Sequence, residues 1–196
     1  FLPLAAQDPV RPELPASAPA GVLKLDGRLD EPFWKAARVA ELVQQSPRPG
    51  EATRYATRIR VLVTNDFLYF GVECDDPEPS RVAIHTQQRD GDLNGDDHLS
   101  FALDTYGDRR TGYYFAINAA GARVDGLIAN PERASLDWDG IWDARTARTT
   151  TGWTAELVIP AKTLNFTPGL SRWGYNVERY VAREQLRLRW SSPTLD

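Results

Sequence analysis

Three runs of the chain set polar, hydroxyl and aromatic side chains on one parity and mostly apolar ones on the other. Ser100 and Ala102 alternate with Leu99, Phe101 and Leu103. Tyr114 and Asn118 alternate with Tyr113, Phe115 and Ile117. Asn176, Glu178 and Tyr180 alternate with Tyr175, Val177 and Val181. If these runs are neighbouring strands, the polar members share one sheet face. Such a mixture suits a polyhydroxylated ligand such as a sugar. Its C–H faces stack on aromatic rings, and its hydroxyls pair with amides and carboxylates. An ordinary solvated sheet face would show the same pattern.

Other residue groups could do other chemistry. In DGDLNGDD, Asp90, Asp92, Asn94 and Asp96 stand at alternate positions with Gly95 at the turn. This imitates the first half of a calcium loop, where hard oxygen ligands converge. The twelfth position is Phe101 instead of a bidentate Glu, and the helix–loop–helix setting is missing. An acidic turn whose side chains cap backbone groups is the alternative. In SLDWDGIWD, Trp138 lies in an acidic loop and is expected to be an exposed stacking platform, whereas Trp142 is expected in the core. Trp34, Trp153 and Trp173 are also read as core.

Catalysis has little support. With 27 acidic residues, carboxylate pairs are inevitable, and Asp137, Asp139 and Asp143 lack an identifiable partner. Neither His85 nor His98 stands in a Ser-His-Asp spacing or beside a nucleophile elbow. Cys74 sits in an apolar run followed by Asp75 and Asp76, which disfavour a thiolate; it is read as a small core residue.

Composition narrows the classes. One Cys and two His exclude most zinc sites, and the absence of Met excludes His/Met haem ligation. The net charge of −4 gives no basic excess for nucleic-acid phosphates. No apolar run approaches the ~18–20 residues of a membrane-spanning helix.

The elements that would position these residues are short strands. Period-two alternation recurs at 59–63, 68–72, 99–103, 113–117, 153–159 and 173–181. Turn signals such as Asn65-Asp66 and Ala120-Gly121 separate the runs. Further strands are expected at 22–25, 39–44, 123–128, 143–149 and 186–190, for about eleven in all. Helix is confined to short turns at Glu31–Ala37, N-capped by Asp30, and at Ala161–Leu164. The expected fold is all-β: an antiparallel β-sandwich of jelly-roll or immunoglobulin-like type. Residues 1–7, FLPLAAQ, read as the end of a signal peptide. Residues 8–20, rich in Pro and Ala, read as a stiff spacer before the globular domain at 21–196.

Four segments in order resemble family-9-type carbohydrate-binding modules: LDGRLDEPFWKAA at 25–37, TNDFLYFGVECDD at 64–76, DDHLSFALDT at 96–105 and GWTAELVIPAKTL at 152–164. The resemblance covers roughly 22 to 190, nearly the whole globular part. The best match is a subgroup in which such a module precedes a C-terminal region of barrel type in bacterial envelopes. The resemblance implies a sandwich that binds saccharide without cutting it, and structural calcium in some members. Two Trp side chains clamp a terminal sugar in the well-known members. One corresponds here to Asn94, and the other would fall beyond Trp190-Ser191. A family Arg corresponds to Ala116 and a family Glu to Ser100. Arg110 matches a basic sugar-contacting position, and Glu178 takes the place of an amide.

The combined expectation is a non-catalytic, exported module, periplasmic or associated with the outer membrane, which binds saccharide. Its contacts would be Ser100, Arg110, Tyr114, Asn118, Trp138, Asn176, Glu178 and Tyr180. Calcium at Asp90, Asp92, Asn94 and Asp96 is the candidate metal, and the remaining partner is the protein's own C-terminal domain. The alternative is a docking domain that packs on that barrel and has lost sugar binding.

Overall fold

The computed structural model describes residues 12–130 and 133–191; the signal-like 1–7 lie outside them. In chain order the strands are β1 (Ala40–Glu41), β2 (Val43–Ser46), β3 (Thr57–Val63), β4 (Phe67–Asp75), β5 (His98–Asp104) and β6 (Gly112–Asn118). They continue as β7 (Arg123–Asn130), β8 (Arg133–Ser135), β9 (Asp143–Thr149), β10 (Gly152–Pro160), β11 (Gly174–Val181) and β12 (Leu186–Arg189). One sheet has the order β1-β3-β4-β10-β9 and the other β2-β12-β11-β5-β6-β7-β8, with every pairing antiparallel. This is the expected β-sandwich.

The alternating apolar side chains meet between the sheets. Ile59, Phe70, Val72, Leu157 and Ile159 of the first sheet pack in one cluster with Leu99, Phe101, Phe115 and Val177 of the second. Phe70 and Phe101 touch across the gap with ring centroids 5.1 Å apart. Cys74 is fully buried in this cluster, and burial pushes its thiol up to about 12, as a core residue requires.

Several boundaries differ from the sequence reading, each for a tertiary reason. Residues 22–25 form no strand; Leu23 and Leu29 instead help cover the outside of the five-stranded sheet, with Phe33, Trp34 and Leu62. The 39–44 run breaks into β1 and β2, which join opposite sheets. The first helix, α1 (Pro32–Ala36), has Glu31 rather than Asp30 at its N-cap, with no side-chain capping bond. Its position is set by Trp34 instead, which is buried and donates from Nε1 to Glu156 at 2.9 Å. Short 3₁₀ turns occur at Pro79–Arg81, Ala161–Thr163 and Ala182–Glu184.

The Pro-rich stretch is laid on the sandwich over its described part, 12–20. Ser17 donates to Val61 O at 3.1 Å and accepts from Val63 N at 2.9 Å, and Leu14 packs against the core.

Candidate functional site

Strand register assembles the polar face. Glu178 stands opposite Ser100, Asn176 opposite Ala102, and Tyr180 opposite His98 in the β11–β5 pair. On the other side of β5, Ala102 stands opposite Tyr114 and His98 opposite Asn118. Ser100, Tyr114, Asn176, Glu178 and Tyr180 therefore lie on one outer face of three adjacent strands, all partly exposed.

The fourth strand supplies residues that the sequence reading missed. Arg187 stands opposite Tyr180 and Arg189 opposite Glu178. Both arginines hydrogen-bond to Glu178, Arg189 through Nε at 2.6 Å and Arg187 through Nη1. The Arg187 guanidinium also lies over the Tyr180 ring, 4.8 Å from its centroid. The signal was present as Arg187 and Arg189 alternating with Leu186, Leu188 and Trp190. Its face could be assigned only once β12 was known to flank β11.

Two further side chains are tuned by burial. His98 packs beside Tyr180 at 5.4 Å and shares a 2.9 Å hydrogen bond between its Nδ1 and Asp96 O. Burial holds its imidazole below the ordinary 6.5, so it is neutral at neutral pH. Burial likewise raises the Tyr114 phenol, keeping it a protonated donor.

Asn118 has the parity of this face but is fully buried under the loop at 83–97. Its amide donates to Thr86 O at 2.8 Å and Asp96 Oδ2 at 2.7 Å. Its carbonyl oxygen accepts from Ala120 N and Ala122 N. Nothing remains for a ligand. The same loop seats Leu93 on Ala116, Ala122 and Val124, closing that end of the face.

The expected calcium ligands do not converge. Asp96 is fully buried and spends its oxygens on His85 N, His85 Nδ1, Thr86 N and the Asn118 amide. Asp92 caps Asn94 N at 2.9 Å. Among the described residues, the acidic cluster that forms is Asp90, Asp125 and Asp139, with oxygens within 4.8 Å of one another. Arg89 already supplies the cation, 2.7 Å from Asp125, 3.3 Å from Asp90 and 3.4 Å from Asp139. These residues do not fit a calcium ion in the expected loop geometry.

Trp138 is not an exposed platform. Its ring packs 5.1 Å from Tyr113 and 6.0 Å from Phe115, closing the core beside β6. Gly140 is required there, because a Cβ would come within 2.5 Å of that ring. Trp142 is core as expected.

Arg110 lies at the opposite end of the face, on the β5–β6 loop. It borders a groove of about 1240 Å³ that also reaches Ala102 and Asn176. The groove wall is aromatic: Tyr175 and Trp190 stack with centroids 6.3 Å apart and planes within 11°. Trp173 packs on Phe166 at 5.5 Å and is only half-buried, a departure from its expected core placement. The Tyr175 hydroxyl is buried without a hydrogen-bond partner among the described residues. Residues Pro12 to Ala16 form another wall. The structure thus joins six of the eight expected contact residues into one groove-and-face region and leaves out Asn118 and Trp138.

No family model and no curated protein matches the chain. Solved structures do. A putative carbohydrate-binding protein from Bacteroides uniformis aligns with TM-score 0.65 and 15% identity over 80% of this chain and 78% of its own. A family 9 carbohydrate-binding module from Caldicellulosiruptor kristjanssonii, in complex with cellotriose, aligns with TM-score 0.62 and 15% identity over 89% of this chain and 82% of its own. A family 9 module from the same organism, in complex with glucose, gives TM-score 0.63 and 15% identity over 91% and 89%. The four sequence segments and these alignments agree: the chain has the fold of the family 9 carbohydrate-binding modules.

Proposed function

We propose that this domain is a non-catalytic saccharide-binding module that works outside the cytoplasm, in the periplasm or at the outer membrane. The observation that carries the reading is the strip formed by Ser100, Tyr114, Asn176 and Glu178, which opens into the aromatic groove beside Arg110. Aromatic walls next to convergent amide, hydroxyl and carboxylate groups are the chemistry a sugar ring needs. The sugars bound by two of the structural neighbours support it.

Calorimetric titration with cellotriose, glucose and longer oligosaccharides tests the reading. Binding that weakens in Glu178→Ala and Tyr114→Ala is the expected result. If no saccharide binds at millimolar concentration, the reading fails.

One observation favours a second reading, docking on a C-terminal barrel. The position that the resemblance assigns to a clamping Trp is the exposed Asn94. A well-folded chain with no saccharide affinity is the outcome that reading requires.

A further inference from the structure

The groove and the adjoining strip carry a charge pattern that a neutral sugar does not need. The chain is acidic, with a net charge of −4, yet Arg109, Arg110, Arg172, Arg187 and Arg189 all border this region. Four acids lie among them, and each is bonded from within. Asp104 accepts from the N–H groups of Tyr106, Gly107 and Arg109 at 3.0, 2.7 and 2.9 Å. Asp108 accepts from the N–H groups of Arg110 and Thr111, both at 2.8 Å. Glu178 is held by Arg187 and Arg189. Glu13 accepts from Arg172 at 2.7 Å.

The arginines are not used up in the same way. Among the described residues, Arg109 and Arg110 are exposed and have no acid within ion-pair distance. Arg187 engages Glu178 through Nη1 and Arg189 through Nε, which leaves the rest of each donor fork open. Among the described residues, the region therefore offers unspent guanidinium donors beside aromatic walls, while its carboxylates are each bonded from within. Planar guanidinium forks match carboxylates in pairs of parallel hydrogen bonds. Arg172 already meets a carboxylate through one such donor, Nη1 to Glu13 Oε1 at 2.7 Å, on the segment that walls the groove.

We infer that this site takes an acidic saccharide, one that carries uronate carboxylates, in preference to a neutral glucan. The inference rests on the saccharide-binding reading above. The sugar rings pack on the aromatic wall, and their carboxylates meet Arg109 and Arg110 at one end and the Arg187–Arg189 pair at the other.

The test is titration of the full chain with an oligogalacturonate, its methyl ester and cellotriose, at about 50 mM and about 500 mM salt. The oligogalacturonate is expected to bind about tenfold tighter than the other two at low salt, with the advantage shrinking at high salt. Arg109→Gln combined with Arg110→Gln should cost about tenfold in oligogalacturonate affinity. Arg28→Gln, at an exposed position outside the site, makes the same kind of charge change and should leave that affinity within about twofold. Equal, salt-independent binding of all three saccharides would overturn the acidic preference while leaving saccharide binding intact. Loss of affinity in Arg28→Gln as large as in the double variant would reduce the effect to overall charge and overturn it too. If none of the three binds, both readings fail together.

Discussion

Two glutamates on opposite sheets show how burial decides what a carboxylate does. Glu178 is partly exposed, and its two arginine partners can turn to water if it is removed. Glu156 is fully buried and accepts from Trp34 Nε1 at 2.9 Å, Gly27 N at 2.8 Å and Asp26 N at 3.0 Å. Burial raises its carboxyl above the ordinary 4.5, against the three hydrogen bonds that oppose the rise. Glu156→Ala would strand buried donors on the segment that covers the five-stranded sheet. It should cost roughly 3 kcal/mol and lower Tm by roughly 6–12 °C, read by thermal denaturation. Glu178→Ala should lower Tm by less than about 3 °C while weakening saccharide binding. If the two losses in Tm come out alike, the assignment of one carboxylate to structure and the other to the site is wrong. Residue type and parity put Glu178 on the outer face, where the register of β11 and β5 has it. They could not single out Glu156, whose partners lie 122 to 130 positions away.

At the scale of elements, the loop at 83–97 fixes the end of the polar face, and two groups at its junction with β5 titrate. Burial pushes the Asp96 carboxyl up, but the Asn118 amide, the His85 ring and the N–H groups of His85 and Thr86 outweigh it and hold it below the ordinary 3.8. His98 is held below the ordinary 6.5 by burial. For a lowered carboxyl, the stabilisation is present above 3.8 and is lost as pH falls through the folded value. For a lowered imidazole, stability is present above 6.5 and falls with acidification below it, because the unfolded chain binds the proton first. Melting followed from about pH 8 down to about pH 5 should show Tm decreasing below the ordinary histidine range. His98→Phe, which keeps a ring against Tyr180, should flatten that decrease; an unchanged slope would remove His98 as its source. The Asp92 and Asn94 pattern suggested a metal loop because alternate acids are visible in sequence. The arginine that binds the nearby cluster, Arg89, was not visible in that role, because Asp125 and Asp139 reach it from 36 and 50 residues away. Millimolar calcium is accordingly expected to raise Tm by less than about 1 °C, since the Arg89 guanidinium already holds the place among these carboxylates. A larger rise, abolished by Asp125→Asn, would restore a metal site.

For the whole molecule, the period-two runs were enough to give the sandwich, because each run must bury one parity between two layers. The order of the strands was not readable, and with it went the identity of the outer-face neighbours. The contacts of the N-terminal segment were unreadable for a related reason. Pro9, Pro12, Pro15 and Pro19 suggested a spacer, but an extended Pro-rich segment can still pair through the residues between its prolines. Ser17 sits between two of them and makes both bonds to β3 beyond the reach of β1, which pairs only at Ile59 and Arg58. The segment therefore covers an open stretch of sheet edge and walls the groove, with Leu14 against the core and Glu13 on Arg172. Deleting residues 1–20 should leave the sandwich folded, because the inter-sheet cluster otherwise begins at Ala40. It should also uncover the β3 edge and lower Tm by a few degrees, about 1–2 kcal/mol for two backbone bonds and one apolar contact. An exposed edge invites strand pairing between molecules, so the truncated chain is expected to self-associate more in sedimentation than the intact one. Ser17→Pro separates the two effects. It removes the donor to Val61 O while keeping Leu14 and Glu13 in sequence, so it should reproduce part of the loss in Tm. A truncated chain with unchanged Tm and unchanged association would mean that the segment merely rests on the surface.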